Sequence, residues 1–161
     1  MDPATIIAAL EAPTDDRSRV MYELEETAPA DQLATALRMA GAPLTRQLLV
    51  DLLGFQAAPA GVPALIAALQ DREQKVRSSA ADALGKVFLT HPDDPQRAAA
   101  GDALLERWQD EPAVTVRQMI AAALGATRNR AAVPALEAAL QDPDDGVRAM
   151  ARWALDQFGA R

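Results

Sequence analysis

Apolar residues along this chain return at three- and four-residue steps, in short blocks separated by polar turns, and the blocks come in pairs. Leu65 to Leu69, behind Pro63, form one block; Gln70-Asp71-Arg72-Glu73 interrupts it; Val76, Ala80, Ala83, Leu84 and Val87 form the next. Steps of three and four place residues on one face of a helix. Proline suits the first helical turn, where its missing N–H would have no partner. Each pair therefore predicts a helical hairpin with one apolar face per helix. Gly85 is expected near the end of the second helix, where glycine accepts a left-handed cap.

The same phrase recurs along the chain. Five arginine–leucine pairs keep one spacing: Arg17/Leu24, Arg46/Leu53, Arg77/Leu84, Arg117/Leu124 and Arg148/Leu155, and glycine follows the leucine at Gly54, Gly85 and Gly125. The stretches Val62–Asp71 and Val133–Asp142 are nearly identical. Successive repeat arginines lie 29, 31, 40 and 31 positions apart, so one unit carries an insertion, Thr90–Gln96. Two prolines and two aspartates there oppose a continuous helix. After it the phrase resumes at Leu104–Asp110, with Trp108 at the position of Leu69, which predicts a core tryptophan. A hairpin with one apolar face cannot cover it alone, so such units stack into a shared core.

The phrase resembles the HEAT-like repeats, in particular the short bacterial variety first noticed in phycobilin-lyase-type proteins. The family's pattern is close to V-P-x-L-x-x-x-L-x-D followed by V-R-x-x-A-x-x-A-L-G. Val76-Arg77 with Ala80 and Ala83-Leu84-Gly85 matches throughout; Val116-Arg117 with Ala123-Leu124-Gly125, and Val147-Arg148 with Ala151 and Ala154-Leu155, follow it closely. The first unit departs most, with Asp16 in place of valine and Glu25 in place of glycine. The resemblance implies an all-α, right-handed α-solenoid, an armadillo-like superhelix of about five helical hairpins, serving chiefly as a scaffold for binding other molecules. The expected units are 1–28, 29–58, 59–90, 95–128 and 129–161 of a single repeat domain.

The resemblance also implies that an aspartate in the turn of each unit pairs with the arginine of the following helix. The candidates for this structural ladder are Asp71 with Arg77, Asp110 with Arg117, and Asp142 with Arg148, with Glu11 available to Arg17. Arginine's planar, multi-donor head group suits it to such a role.

Composition narrows the function. The formal charge is −7, whereas nucleic-acid binders usually carry a basic stripe. Aromatic residues make up 4% of the chain, which with that charge sets it apart from the basic, aromatic-rich alkylpurine DNA glycosylases among HEAT-like proteins. Other members of the family attach or isomerise bilins, so a lyase or chaperone-type factor for a tetrapyrrole-bearing protein is the alternative function. No apolar run approaches the roughly 20 residues needed to cross a bilayer. With no cysteine, disulfides, thiolate nucleophiles and zinc–cysteine sites are excluded. The opening Met1–Ile7 has no positively charged start, and a cytoplasmic location is expected.

No catalytic constellation stands out. The single histidine, His91, lies beside Asp93 and Asp94; flanking prolines mark this as a solvated turn, and no metal or cofactor is expected. Asp15-Asp16 and Asp144-Asp145 precede second helices, where carboxylates favour the helix N-terminus, so they read as caps.

A partner would meet the second helices, which line the concave side of such a stack. Two positions after each repeat arginine stand Arg19, Leu48, Ser79, Met119 and Met150; five after stand Tyr22, Asp51, Asp82, Ala122 and Trp153. A step of three keeps both sets on one face. The binding candidates are therefore Tyr22, Leu48, Asp51, Ser79, Asp82, Met119, Met150 and Trp153. Met119, Met150 and Trp153 gather at one end, where they form either a gripping patch or a cap over the last unit. The sequence thus predicts a non-catalytic adaptor for another protein, one with a basic or amphipathic segment.

Overall fold

A computed structural model describes residues 1–13 and 15–159; the last two positions of the fifth unit lie outside them. The described residues form ten α-helices: α1 Pro3–Glu11, α2 Arg17–Thr27, α3 Ala30–Met39, α4 Pro43–Gln56, α5 Val62–Ala68, α6 Gln74–Thr90, α7 Arg97–Asp110, α8 Val114–Thr127, α9 Val133–Ala139 and α10 Asp145–Gly159. Single 3₁₀ turns, Pro59–Gly61 and Arg130–Ala132, lead into α5 and α9. Consecutive helices pair, and the pairs stack as an α-solenoid.

Helix starts follow the local chemistry. Asp2 caps α1 by accepting from the backbone N–H of Ala4 and Thr5 at 3.1 and 3.2 Å. Asp16 and Asp144 cap α2 and α10, accepting from the N–H of Arg19 and Val147 at 3.0 and 2.9 Å. Prolines occupy the first turns of α4, α5 and α9. The insertion falls almost wholly between helices: α6 runs on to Thr90, a turn follows, and α7 begins at Arg97. Gln96 pins this turn to the stack by donating to the Pro59 carbonyl at 3.0 Å.

The core is continuous. Val76, Ala80, Ala83, Leu84 and Val87 of α6 are buried, as are Val116, Ile120, Ala123 and Leu124 of α8 and Val147, Ala151 and Ala154 of α10. Trp108 is half-buried against this core rather than enclosed by it. From α4 onward the second helices pack closely side by side, while the first helices touch one another less. The stack therefore curves toward the second helices. The first unit is the loosest: Leu24 is the buried residue of α2.

The glycines differ from expectation. Gly54, Gly85 and Gly125 lie within their helices and are buried, so they do not cap. They face the next second helix instead: a Cβ on Gly125 would stand 2.7 Å from Ala154 Cα, and one on Gly54 3.0 Å from Ala83 Cβ. The left-handed caps of α4 and α8 fall on Ala57 and Arg128, with φ of 47° and 50°.

Candidate functional site

The repeat arginines make a ladder, but its rungs run between units rather than within them. Arg46 donates from Nε and Nη2 to Asp71 at 2.7 and 3.1 Å, and from Nη1 to the Gly41 carbonyl at 2.6 Å. Arg77 does the same with Glu111, at 2.8 and 2.9 Å, while its Nη1 donates to the Asp71 and Arg72 carbonyls at 2.9 and 3.1 Å. Arg117 reaches Asp142 at 3.5 Å and donates to the Pro112 carbonyl at 3.1 Å. Each arginine thus closes its own turn through main-chain carbonyls and grips the carboxylate in the next unit's turn.

That arrangement corrects the expected pairs. Asp71 gives Arg77 its carbonyl, not its carboxylate, and Asp142 does likewise for Arg148 at 2.7 Å. Asp110 is not Arg117's partner; the neighbouring Glu111 holds the position and serves Arg77. Arg148 pairs with Asp145 in its own unit. Arg17 donates to the Leu10 carbonyl at 2.8 Å, and Glu11 accepts from Thr45 at 3.0 Å. The physical reason lies in the carboxylates' second task. Asp71, Glu111 and Asp142 each accept the N–H two residues on, at 2.9, 3.0 and 2.9 Å. This tucks each carboxylate into its turn and aims it at the preceding unit.

Burial works against the charge on Glu111, but the donors Arg77, Ala113 N–H and Arg107 outweigh it and hold the carboxyl below its usual range. Asp71 is lowered likewise: Arg46 and the Glu73 N–H overcome the effect of burial.

On the concave face, the candidate residues separate into two clusters. Met119 and Trp153 line a cavity of about 80 Å³ together with Asp82, Lys86, Leu89 and Ala122. Tyr22, Leu48 and Asp51 line an open cleft of about 530 Å³ with Met21, Glu25 and Phe55. Ser79 is half-buried on α6 and lines neither cavity. Met150 packs half-buried against the core and lines neither cavity. The Trp153 ring leans back toward α8: its Cζ3 would lie 3.0 Å from a Cβ on Gly125. It lines the same cavity as Met119 and Leu89.

Phe55, Lys86 and Leu89 are groove residues that the two predicted rows omit. Phe55 and Lys86 stand nine positions after their repeat arginines, one further turn along the same face, so extending the register would have found them. Lys86 sits 5.4 Å from the Phe55 ring centroid and pairs with Asp82 at 2.7 Å. Burial pushes the Asp51 carboxyl up, opposed by Ser79 and Lys86 and reinforced by Asp82. Among the described residues, no group of three or more histidines and carboxylates is placed to hold a metal ion, and His91 terminates α6 in an exposed turn.

Comparison with known proteins agrees with this architecture. The family model for HEAT repeats matches residues 30–115 and 101–161. A chain from the complex of CpcE and CpcF of phycocyanin lyase from Nostoc sp. PCC7120 is similar in structure, with a TM-score of 0.73 and 25% identity over 98% of this chain. The Escherichia coli protein YibA superposes with a TM-score of 0.70 and 19% identity over all of it. This chain spans 65% and 60% of those two chains. Comparison with curated protein sequences finds no match.

Proposed function

Because this chain belongs to the HEAT-repeat family, whose stacked hairpins offer a preformed curved surface, we propose that it is a non-catalytic scaffold. In this reading its concave groove binds a basic, amphipathic segment of another protein. The observation that carries the reading is the cavity where Met119, Leu89, Ala122 and Trp153 meet, an apolar hold bordered by the Asp82–Lys86 ion pair. Leu89 is 58% and Trp153 36% exposed, so large apolar side chains stand open to solvent here. Methionine adapts its shape and tryptophan supplies large buried area, the combination that anchors partners. The formal charge of −7 favours encounter with a positive partner. The similar Nostoc chain occurs in a complex of two proteins, which supports a role in association.

A direct test uses a labelled, lysine-rich amphipathic helical peptide and fluorescence anisotropy. The double variant Met119→Glu, Trp153→Ala, checked for helicity by circular dichroism, should bind at least about tenfold more weakly. Raised salt should slow association of the intact protein. Equal affinity for the two proteins would exclude the groove as the binding face.

A second reading rests on one observation, the likeness to a phycocyanin lyase chain: a lyase or chaperone-type factor for a tetrapyrrole-bearing protein. Titration with a bilin, followed by visible absorbance, separates it from the first. An unchanged spectrum at saturating pigment removes it.

A further inference from the structure

The one irregular stretch of the repeat forms a wall of a second kind of cleft, at the edge of the stack where α8 and α10 end. The cleft encloses about 730 Å³ and is lined by Asp93, Arg97, Arg128, Arg130, Gln157 and Phe158, with Gly159 at its rim. Three guanidinium groups against one carboxylate make it locally cationic, although the chain as a whole carries a charge of −7.

These arginines are not engaged as the ladder arginines are. Arg46, Arg77 and Arg117 each meet a carboxylate. Among the described residues, Arg97, Arg128 and Arg130 meet none within ion-pair distance, and Asp93 stands off from all three. Arg97 donates to the Pro92 carbonyl, which fixes the guanidinium in the inserted turn without neutralising it. Arg128 holds a left-handed backbone, φ 50°, at a cap position where glycine would be unstrained. Cations are favoured near a helix C-terminus, which accounts for one arginine after α8. It does not account for two more arriving at the same cleft from the 3₁₀ turn Arg130–Ala132 and from the start of α7.

We propose that this cleft is a binding site for a compact oxyanion ligand bearing at least two negative charges on phosphate or carboxylate oxygens. The planar guanidinium fork matches both groups and can bind either bidentately. Arg97, Arg128 and Arg130 supply the positive charge from three separate points of the chain. Phe158, half-buried in the lining, offers an apolar surface to whatever carries the charged group. The insertion has a role in this arrangement: it brings Asp93 and Arg97 to an edge that the plain repeat phrase would leave without them.

Calorimetric titration of the intact chain with inorganic pyrophosphate, and separately with citrate, at fixed ionic strength tests the site. Saturable one-to-one binding is expected, and the tighter probe assigns the chemistry as phosphate or carboxylate. Arg128→Gly removes the charge while relieving the left-handed backbone, so the melting temperature should not fall and the affinity should drop at least about tenfold. Arg130→Gln should weaken binding similarly, and Asp93→Asn should strengthen it. No saturable binding of either probe, or unchanged affinity in both arginine variants, overturns the proposal. The concave-groove peptide assay is separate from this edge, so failure of one does not decide the other.

Discussion

Arg77 and Glu111 meet edge to edge, Nε to Oε2 at 2.8 Å and Nη2 to Oε1 at 2.9 Å, across a sequence separation of 34. The Glu111 side chain is fully buried, and Arg107 donates to it as well at 2.8 Å. Removing one partner of such a pair leaves an uncompensated buried charge. Glu111→Ala should therefore cost about 3–5 kcal/mol, measured by urea denaturation. Replacing Glu111 and Arg77 together by leucine and methionine should recover only part of that loss: Arg77 no longer leaves an orphaned charge, but Arg107 still loses its carboxylate partner.

The same carboxylates set the acid limit of the fold. Asp71 and Glu111 have folded pKa values below their unfolded ones. Their contribution is present above the unfolded carboxylate range, about pH 4, and is lost as pH falls through the depressed folded values. Wild-type stability should decline in acid over that window, and Glu111→Gln, already destabilised, should show a shallower decline. Asp51 has the opposite sign, because burial raises its folded pKa. Its contribution is present below the unfolded pKa and is lost as pH rises through the folded one. Asp51→Asn should consequently raise stability at neutral pH, read from denaturation midpoints.

Gly125 and Gly85 occupy the same place in the repeat phrase yet should respond differently to a methyl group. A Cβ on Gly125 would meet Ala154 Cα, a backbone atom, at 2.7 Å, whereas one on Gly85 would meet Ala123 Cα at an ordinary 3.6 Å. Gly125→Ala forces α8 and α10 apart and should destabilise by about 1–3 kcal/mol. Gly85→Ala should be neutral or stabilising by up to about 1 kcal/mol, from helix propensity. Thermal melts of the two variants decide between them.

Ala57 ends α4 with a positive φ of 47°, a conformation in which its Cβ is crowded. Ala57→Gly should gain about 0.5–1 kcal/mol, which for a chain of this length raises the melting temperature by a few degrees. A drop on scanning calorimetry would show that the cap is held by something other than the left-handed turn.

The stacked hairpins were legible because periodicity and repetition are local properties, written directly in the spacing of Val76, Ala80, Ala83 and Leu84. The ladder was legible as a set of arginines but not as a set of pairs. Sequence distance favours Asp71 for Arg77, whereas in space the turn of the following unit offers the carboxylate and the unit's own turn offers carbonyls. The glycine–alanine contacts between α4 and α6 and between α8 and α10 were hidden for the same reason: how closely two helices approach is settled between units. Two groove rows could be numbered from the arginines, yet the two clusters also include Lys86 and Phe55, one turn beyond those rows. The cationic cleft draws its residues from the inserted turn, α7, the end of α8, the 3₁₀ turn after it and α10, and no single window of sequence contains them.

The offset rungs give the stack a polarity. At each described junction from Arg46 to Asp142 the donor belongs to the earlier unit and the acceptor to the later one, so the series reads in one direction. A unit excised at equivalent points and rejoined would hand its predecessor's arginine a carboxylate of the same kind. Units that keep the phrase can therefore be exchanged as cassettes without orphaning a charge. Lengthening or shortening such a chain becomes a matter of copying whole phrases, with Glu111 showing that the acidic residue itself can vary so long as it fills the turn.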